Sequence, residues 1–475
     1  MPIFLNGVNP ITGRYLVPPL DEGKAASAAG AAKPVHPAVP KMQANLVRKT
    51  LGLPFPLQPE QITDAGWGIV THAQEDPAVL QALEPLFQHR LHQIGNPATV
   101  KKLTYNGESF VDWLAAHNVA PGSVKPDKVP FYLLVVGNPE RIPFEFTQLL
   151  DIEYAVGRLD LNSAADYGTY AQSVVDYETT PAVTNSKEVV FFGTQHIDDM
   201  ATELSCQSLV TPLADGLDGA PGIAQAMKFG SQKLLGPAAT KAALLQILCR
   251  PKGQNPPAFL FSATHGLGWP LNDPNQAAAQ GALLCGEFKG VGFSPLPLTS
   301  ATYLAAPDLD ATANLRGIIA FHFACFGMGT PKNDKFSFNP PAPPAQLAPQ
   351  PFFSALPKRM LSHPGGPALA TIGHIERAWA TSIQPPNTDP QIQPFQNAIA
   401  KILQGLPLGL ALTDFSLAYG QFAAIVGQML ADKLDGLPVD DDKLAMAWTQ
   451  QNDAEAYTLF GDPAIRLRPE KLQAI

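Results

Sequence analysis

A chain of 475 residues, 45% hydrophobic and 15% charged, can bury large cores, and its length suggests about three domain-sized units. A net charge of −9 with no basic stripe excludes a nucleic-acid binder. No uninterrupted apolar stretch approaches the roughly 20 residues of a bilayer span, and the opening Met1-Pro2-Ile3-Phe4-Leu5-Asn6 lacks a cationic segment followed by an apolar core, so a cytoplasmic protein without membrane association is expected.

Residues 1–60 are rich in Pro, Ala and Gly, and residues 25–32 read as a flexible small-residue tract. Residues 66–72 form a short strand candidate. A helical pattern comes next through Val79, Leu80, Leu83, Leu86, Phe87 and Leu91, entered after Asp76-Pro77. A second amphipathic piece runs from Glu108 to His117 and stops near Pro121-Gly122. Residues 1–125 are therefore expected to be a partly ordered N-terminal region packed on the remainder of the chain.

From residue 130 the pattern becomes strand, loop, helix, repeated. Strands are predicted at 131–137, 154–159, 189–193, 258–263, 318–324 and 368–373, with helices at 164–177, 239–248, 395–404 and 412–434. Continuous apolar strands between helices predict an α/β fold, with a mostly parallel sheet flanked by helices on both faces. The expected domain is 126–475, with 126–188 readable as a degenerate first subdomain. Residues 270–300 show no clear period. Residues 331–357 carry Pro340, Pro341, Pro343, Pro344, Pro349, Pro351 and Pro357, and are expected to be irregular, either a lid or activation segment or a tolerated surface insertion.

Four cysteines (Cys206, Cys249, Cys285, Cys325) have neither disulfide-framework nor metal-ligand spacing, so no metal or cofactor is expected. Cys325 differs from the others in place: it ends the apolar run 318–324 and opens Phe326-Gly327-Met328-Gly329. The run 258–263 ends in Thr264-His265-Gly266. Two strand ends, one bearing His-Gly and the other Cys-x-Gly, make a thiol–imidazole pair possible, because open parallel sheets bind ligands at those ends and a thiol nucleophile needs a base. The backbone N–H groups of Gly266 and Cys325 are candidates for an oxyanion hole, in which one donor is worth on the order of 3 kcal/mol of barrier. The competing readings are a buried structural thiol and a strand-end histidine. His322 lies three residues from Cys325, on the opposite face of a regular strand, and is read as a core histidine; so is His374. No G-x-S-x-G elbow, phosphate loop or H-E-x-x-H site is present.

These residues resemble the caspase-like (clan CD) cysteine peptidases, in particular the gingipain-type and bacterial CHAT-type proteases, over about residues 130–468. The likeness rests on the order of Leu134-Val135-Val136-Gly137-Asn138-Pro139-Glu140-Arg141-Ile142-Pro143, Ala155-Val156-Gly157-Arg158-Leu159, Asp176-Tyr177-Glu178, Thr264-His265-Gly266, Ala324-Cys325-Phe326-Gly327 and Phe460-Gly461-Asp462-Pro463-Ala464-Ile465-Arg466-Leu467. It implies a caspase-like sandwich and an intracellular cysteine endopeptidase with a dyad, His265 and Cys325, acting on a protein or peptide through a thioester. It also implies regulation with a defence-associated or toxin partner protein. By the same resemblance Trp379 closes the primary pocket, Asp198 and Asp199 meet a basic substrate side chain, and Glu376 and Trp269 are further pocket candidates. Rival readings are a catalytically silent caspase-like binding module and a thiol-dependent small-molecule hydrolase.

Overall fold

The computed structural model describes residues 2–31, 36–250, 254–336, 345–385 and 388–474. In chain order its strands are β1 (Gly7–Val8), β2 (Trp67–His72), β3 (Val100–Tyr105), β4 (Tyr132–Val136), β5 (Ala155–Leu159), β6 (Ser186–Gly193), β7 (Gly230–Leu235) and β8 (Pro257–Ala263). They continue as β9 (Gly266–Leu267), β10 (Leu283–Leu284), β11 (Tyr303–Leu304), β12 (Ile319–Phe323), β13 (Gly329–Thr330), β14 (Phe352–Phe353), β15 (Ala370–His374) and β16 (Tyr457–Gly461).

One sheet takes the order β3-β2-β4-β5-β16-β15-β12-β8-β6-β7. Every neighbouring pair in it is parallel except β15 and β16. The sheet thus consists of two parallel halves running in opposite directions and joined at an antiparallel seam. All positions of β4, β5, β8, β12 and β15 are buried, as strands covered on both faces must be. The α/β class and mostly parallel sheet agree with the expectation from the sequence. No helix among the described residues is long and apolar enough to cross a membrane.

Residues on both sides of position 125 build this one sheet: β2 lies between β3 and β4. β3 was not legible because Lys101 and Lys102 interrupt its apolar alternation, and charged side chains are common on edge strands. The small-residue tract is helical, not flexible, over the described residues Glu22–Ala31. Alanine loses least entropy in a helix, and Ala25, Ala26, Ala28 and Ala29 are buried on a helix that packs against Asp441–Ala456. The segment 331–357 is also partly regular: β14 pairs with β13, and a helix spans Ala355–Leu361. Pro357 sits in the first turn of that helix, where an N–H has no intrahelical partner to lose. Pro340, Pro341, Pro343 and Pro344 lie outside the described residues.

A buried ion cluster ties the first half of the sheet to the chain after β16. The Arg90 guanidinium donates to Asp462 (2.6 Å) and to Glu178 (2.6 Å), and the Trp67 indole N–H donates to the other Asp462 oxygen at 2.8 Å. Burial alone would raise the Glu178 pKa, but the Arg90 charge outweighs it and holds the carboxyl at about 2.

Candidate active site

The strands β15, β12, β8 and β6 are parallel neighbours, so their carboxyl ends meet one edge of the sheet. The chain steps outward from β6 to β7 and returns on the other side of β6 at β8. A reversal of this kind opens a crevice between strand ends. Asp198 and Asp199 come after β6, His265 after β8, Cys325 after β12, and Glu376 to Trp379 after β15.

Register places the imidazole and the thiol level with each other. Ala263 pairs with Phe323, and His265 and Cys325 each stand two residues beyond that pair. Gly266 lies so close to the Cys325 backbone that a β-carbon there would collide with the Cys325 carbonyl oxygen, which leaves glycine as the only fit.

His265 is completely buried, and its Nε2–H donates to Asp199 Oδ2 at 2.5 Å. Asp199 Oδ1 accepts from the Tyr15 hydroxyl at 2.7 Å and from the Thr202 N–H at 3.2 Å, capping the helix Met200–Glu203. Burial opposes ionisation of Asp199, yet the neighbouring imidazole keeps its carboxyl below the usual carboxylate range. With the ring proton held on Nε2, the lone pair of the neutral imidazole is on Nδ1, which is buried without a protein partner. The His196 ring stacks on His265 at 5.8 Å. Burial pushes the His196 pKa down to about 4, so near neutral pH it adds no competing charge.

The Cys325 sulfur accepts from the Ala378 N–H at 3.2 Å and makes no hydrogen bond to the imidazole. Burial pushes its thiol up to about 12, opposite to the depression that a thiolate–imidazolium pair would give. The cause is a cover of protein over the sulfur, which is fully buried. In the intact native chain, iodoacetamide is therefore expected to modify half-buried Cys249 before Cys325. Peptide mapping after short exposure checks this; Cys325 labelled first would mean that the cover does not persist in solution.

The cover is the start of the chain itself. β1 pairs in parallel with β9, matching Gly7 to Gly266 and Val8 to Leu267. The Asn6 carbonyl oxygen accepts from both the Gly266 N–H (2.9 Å) and the Cys325 N–H (3.0 Å), and the Asn6 N–H donates to the Ala378 carbonyl at 2.8 Å. A β-carbon on Gly7 would lie 2.7 Å from the Cys325 sulfur. The Asn6 side chain is fully buried and its Nδ2 donates to the Ser205 hydroxyl at 3.1 Å. Beyond β1 the chain folds back, with the Leu16 N–H on the Gly7 carbonyl (3.0 Å) and the Gly13 N–H on the Asn9 carbonyl (2.8 Å), which lays Tyr15 over Asp199.

Of the residues singled out in the sequence, His265, Gly266 and Cys325 gather at this edge. Asp199 joins them as the partner of an imidazole, its Oδ2 on His265 and its Oδ1 on Tyr15 and the Thr202 N–H. Asp198 is exposed, in a left-handed conformation (φ 56°). Trp379 is buried against Phe336, ring centroids 4.8 Å apart, with its backbone N–H on Asp453. Glu376 is paired with Arg377 at 2.6 Å, and burial pushes its carboxyl up to about 7. Trp269 belongs to a satellite cluster with Val8, Leu267 and Phe288. His322 bonds the Ser262 hydroxyl within the sheet at 2.7 Å, as a core histidine does. Asn6, Tyr15 and Ser205 escaped sequence reasoning. Nothing local marks Asn6-Gly7 beyond a turn-like dipeptide, and Ser205 sits on a π-helical turn, Leu204–Val210, that propensity does not reveal.

No protein-family model matches the chain, and no curated protein sequence is significantly similar to it. Among solved structures, it is similar to one described as the structure of a protease, at 13% identity and a TM-score of 0.44, covering 85% of this chain and 78% of that one. The complex of the Porphyromonas gingivalis RgpB pro- and mature domains gives 12% identity and a TM-score of 0.44, covering 85% and 80%. The Saccharomyces cerevisiae separase–securin complex gives 9% identity and a TM-score of 0.32, covering 71% of this chain and 16% of that one.

Proposed function

We propose that this protein is a caspase-like cysteine endopeptidase, with Cys325 as nucleophile, His265 as acid–base and Asp199 as the group that orients the imidazole. The observation that carries the reading is the convergence of two backbone N–H groups, from Gly266 and Cys325, on a single carbonyl oxygen beside the Cys325 sulfur. Preorganised donors aimed at a developing oxyanion are the largest single contribution in acyl transfer. An imidazole held by a carboxylate from the loop after the adjacent strand supplies the rest.

In this mechanism the Cys325 thiol gives its proton to His265 Nδ1 as the sulfur attacks the carbonyl carbon, and the oxyanion is held by the two N–H groups. Protonated His265 then delivers its Nδ1 proton to the departing amine. The neutral ring next takes a proton from water, which hydrolyses the thioester and frees Cys325. Asp199 keeps the second ring proton on Nε2 throughout.

Because β1 covers the sulfur, the test uses the full-length chain carrying Gly7→Val, whose added β-carbon meets Leu16 at 2.6 Å and the Cys325 sulfur at 2.7 Å and is expected to displace the strand, checked by iodoacetamide reaching Cys325. This variant is expected to hydrolyse peptides from a panel differing in the acyl-side residue, and Cys325→Ala in the same background to lower the rate at least about 10³-fold. Equal rates with and without the sulfur would sink the reading.

A further inference from the structure

The strand in the crevice has the geometry of a bound substrate rather than of a passive plug. Its Asn6 carbonyl occupies the place of the oxyanion, its next residue lies against the sulfur, and its Asn6 side chain is enclosed. On the peptidase reading above, we propose that the enzyme cleaves after asparagine and that its own Asn6–Gly7 bond is an intramolecular substrate.

The pocket explains the choice. Asn6 Nδ2 donates to Ser205 Oγ at 3.1 Å, so the pocket floor lies at the depth of a short amide. A glutamine, lysine or arginine side chain would have to displace Ser205, which sits buried on the π-helical turn. An aspartate of the same shape would bring a charge to a site whose polar contact is one neutral hydroxyl, and an unpaired buried charge is expensive. Asn6 Oδ1 itself is buried without a protein partner, which a neutral amide oxygen tolerates far better than a carboxylate would. The departing side is equally specific: at position 7 any β-carbon meets the Cys325 sulfur at 2.7 Å, so the bond presented is one followed by glycine.

In the reaction, a bond forms between Cys325 Sγ and the Asn6 carbonyl carbon while the Asn6–Gly7 C–N bond breaks. The thiol proton passes through His265 to the Gly7 nitrogen, which leaves as a free amine. Water then divides the thioester into an Asn6 carboxylate and the restored thiol. No oxidant or co-reactant is consumed.

Two measurements test this. Full-length wild type is incubated beside full-length Cys325→Ala and both are submitted to amino-terminal sequencing and intact mass. The Gly7→Val chain is then assayed on peptides that differ only in having Asn, Asp, Gln, Arg or Lys before the bond. The proposal expects Gly7 as a new amino terminus in wild type and not in Cys325→Ala, with at least a tenfold preference for Asn in kcat/KM. A wild-type chain that keeps residues up to Asn6, the same cut in Cys325→Ala, or a Cys325-dependent preference for another residue would each overturn the inference while leaving the peptidase intact. Failure to hydrolyse any peptide in a Cys325-dependent way would overturn both.

Discussion

Asp199→Asn is expected to lower kcat of the Gly7→Val chain by on the order of 10³–10⁴-fold, the scale seen when a carboxylate that orients a catalytic imidazole becomes an amide. The reason lies in which ring nitrogen keeps its lone pair. The Asp199 carboxylate can only accept, so the proton it binds must be on Nε2 and Nδ1 is left as the base. An amide can turn its NH2 group toward Nε2, and the ring proton then moves to Nδ1, where it blocks general-base action. KM should change little, since Asp199 does not meet the Asn6 side chain. The pH profile separates this role from a merely structural one: loss of a helix cap alone would leave the profile in place and cost only about 1 kcal/mol of stability. A kcat within tenfold of the parent would show that Asp199 does not direct the imidazole.

The largest expected effect on stability is at Arg90. Arg90→Ala leaves completely buried Asp462 without its cation and Glu178 with only the His89 imidazole, 2.6 Å away. Removing one partner of such a group costs about 3–5 kcal/mol, because the remaining carboxylates keep the penalty of burial and lose its compensation. Chemical denaturation of the full chain should show this as a lower midpoint. Lowering the pH should partly restore the variant, since protonation relieves an unpaired buried acid; in the parent, where the Glu178 carboxyl is lowered from 4.5 to about 2, the same change removes stability progressively as the pH falls from about 4.5 to about 2. A loss below about 1 kcal/mol would mean that the carboxylates find other partners.

The parallel half that bears the active-site edge was readable because its strands are continuous apolar runs, each ending in punctuation: Thr264-His265-Gly266 after β8 and Cys325-Phe326-Gly327 after β12. Fully buried strands leave little ambiguity when they alternate with helices. The edge strand β3 was hidden by its lysines, and the alanine tract was misread because small residues serve linkers and close helix contacts equally well. At the site, the residues that stand at strand ends were legible. Those that arrive by long-range folding were not: Tyr15 reaches Asp199 and Asn6 reaches Cys325 only after the first residues of the chain fold back over the sheet. The partners of Asp199 were hidden for a related reason, since the sequence shows a carboxylate at a strand end but not the imidazole and phenol that donate to it.

The antiparallel seam sets what a continuous sheet requires of the chain. β16 is the last strand of the sheet in sequence yet sits at its centre, pairing Leu459 with Gly157 on one side and Ile372 on the other. Without it each half has an unpaired inner edge, and its pairing of Leu459 with Gly157 closes a long chain segment at a cost in loop-closure entropy. The half that carries His265 and Cys325 can pair β6, β8, β12 and β15 beforehand, but the ladder becomes continuous across the molecule only when the final strand lies between the halves.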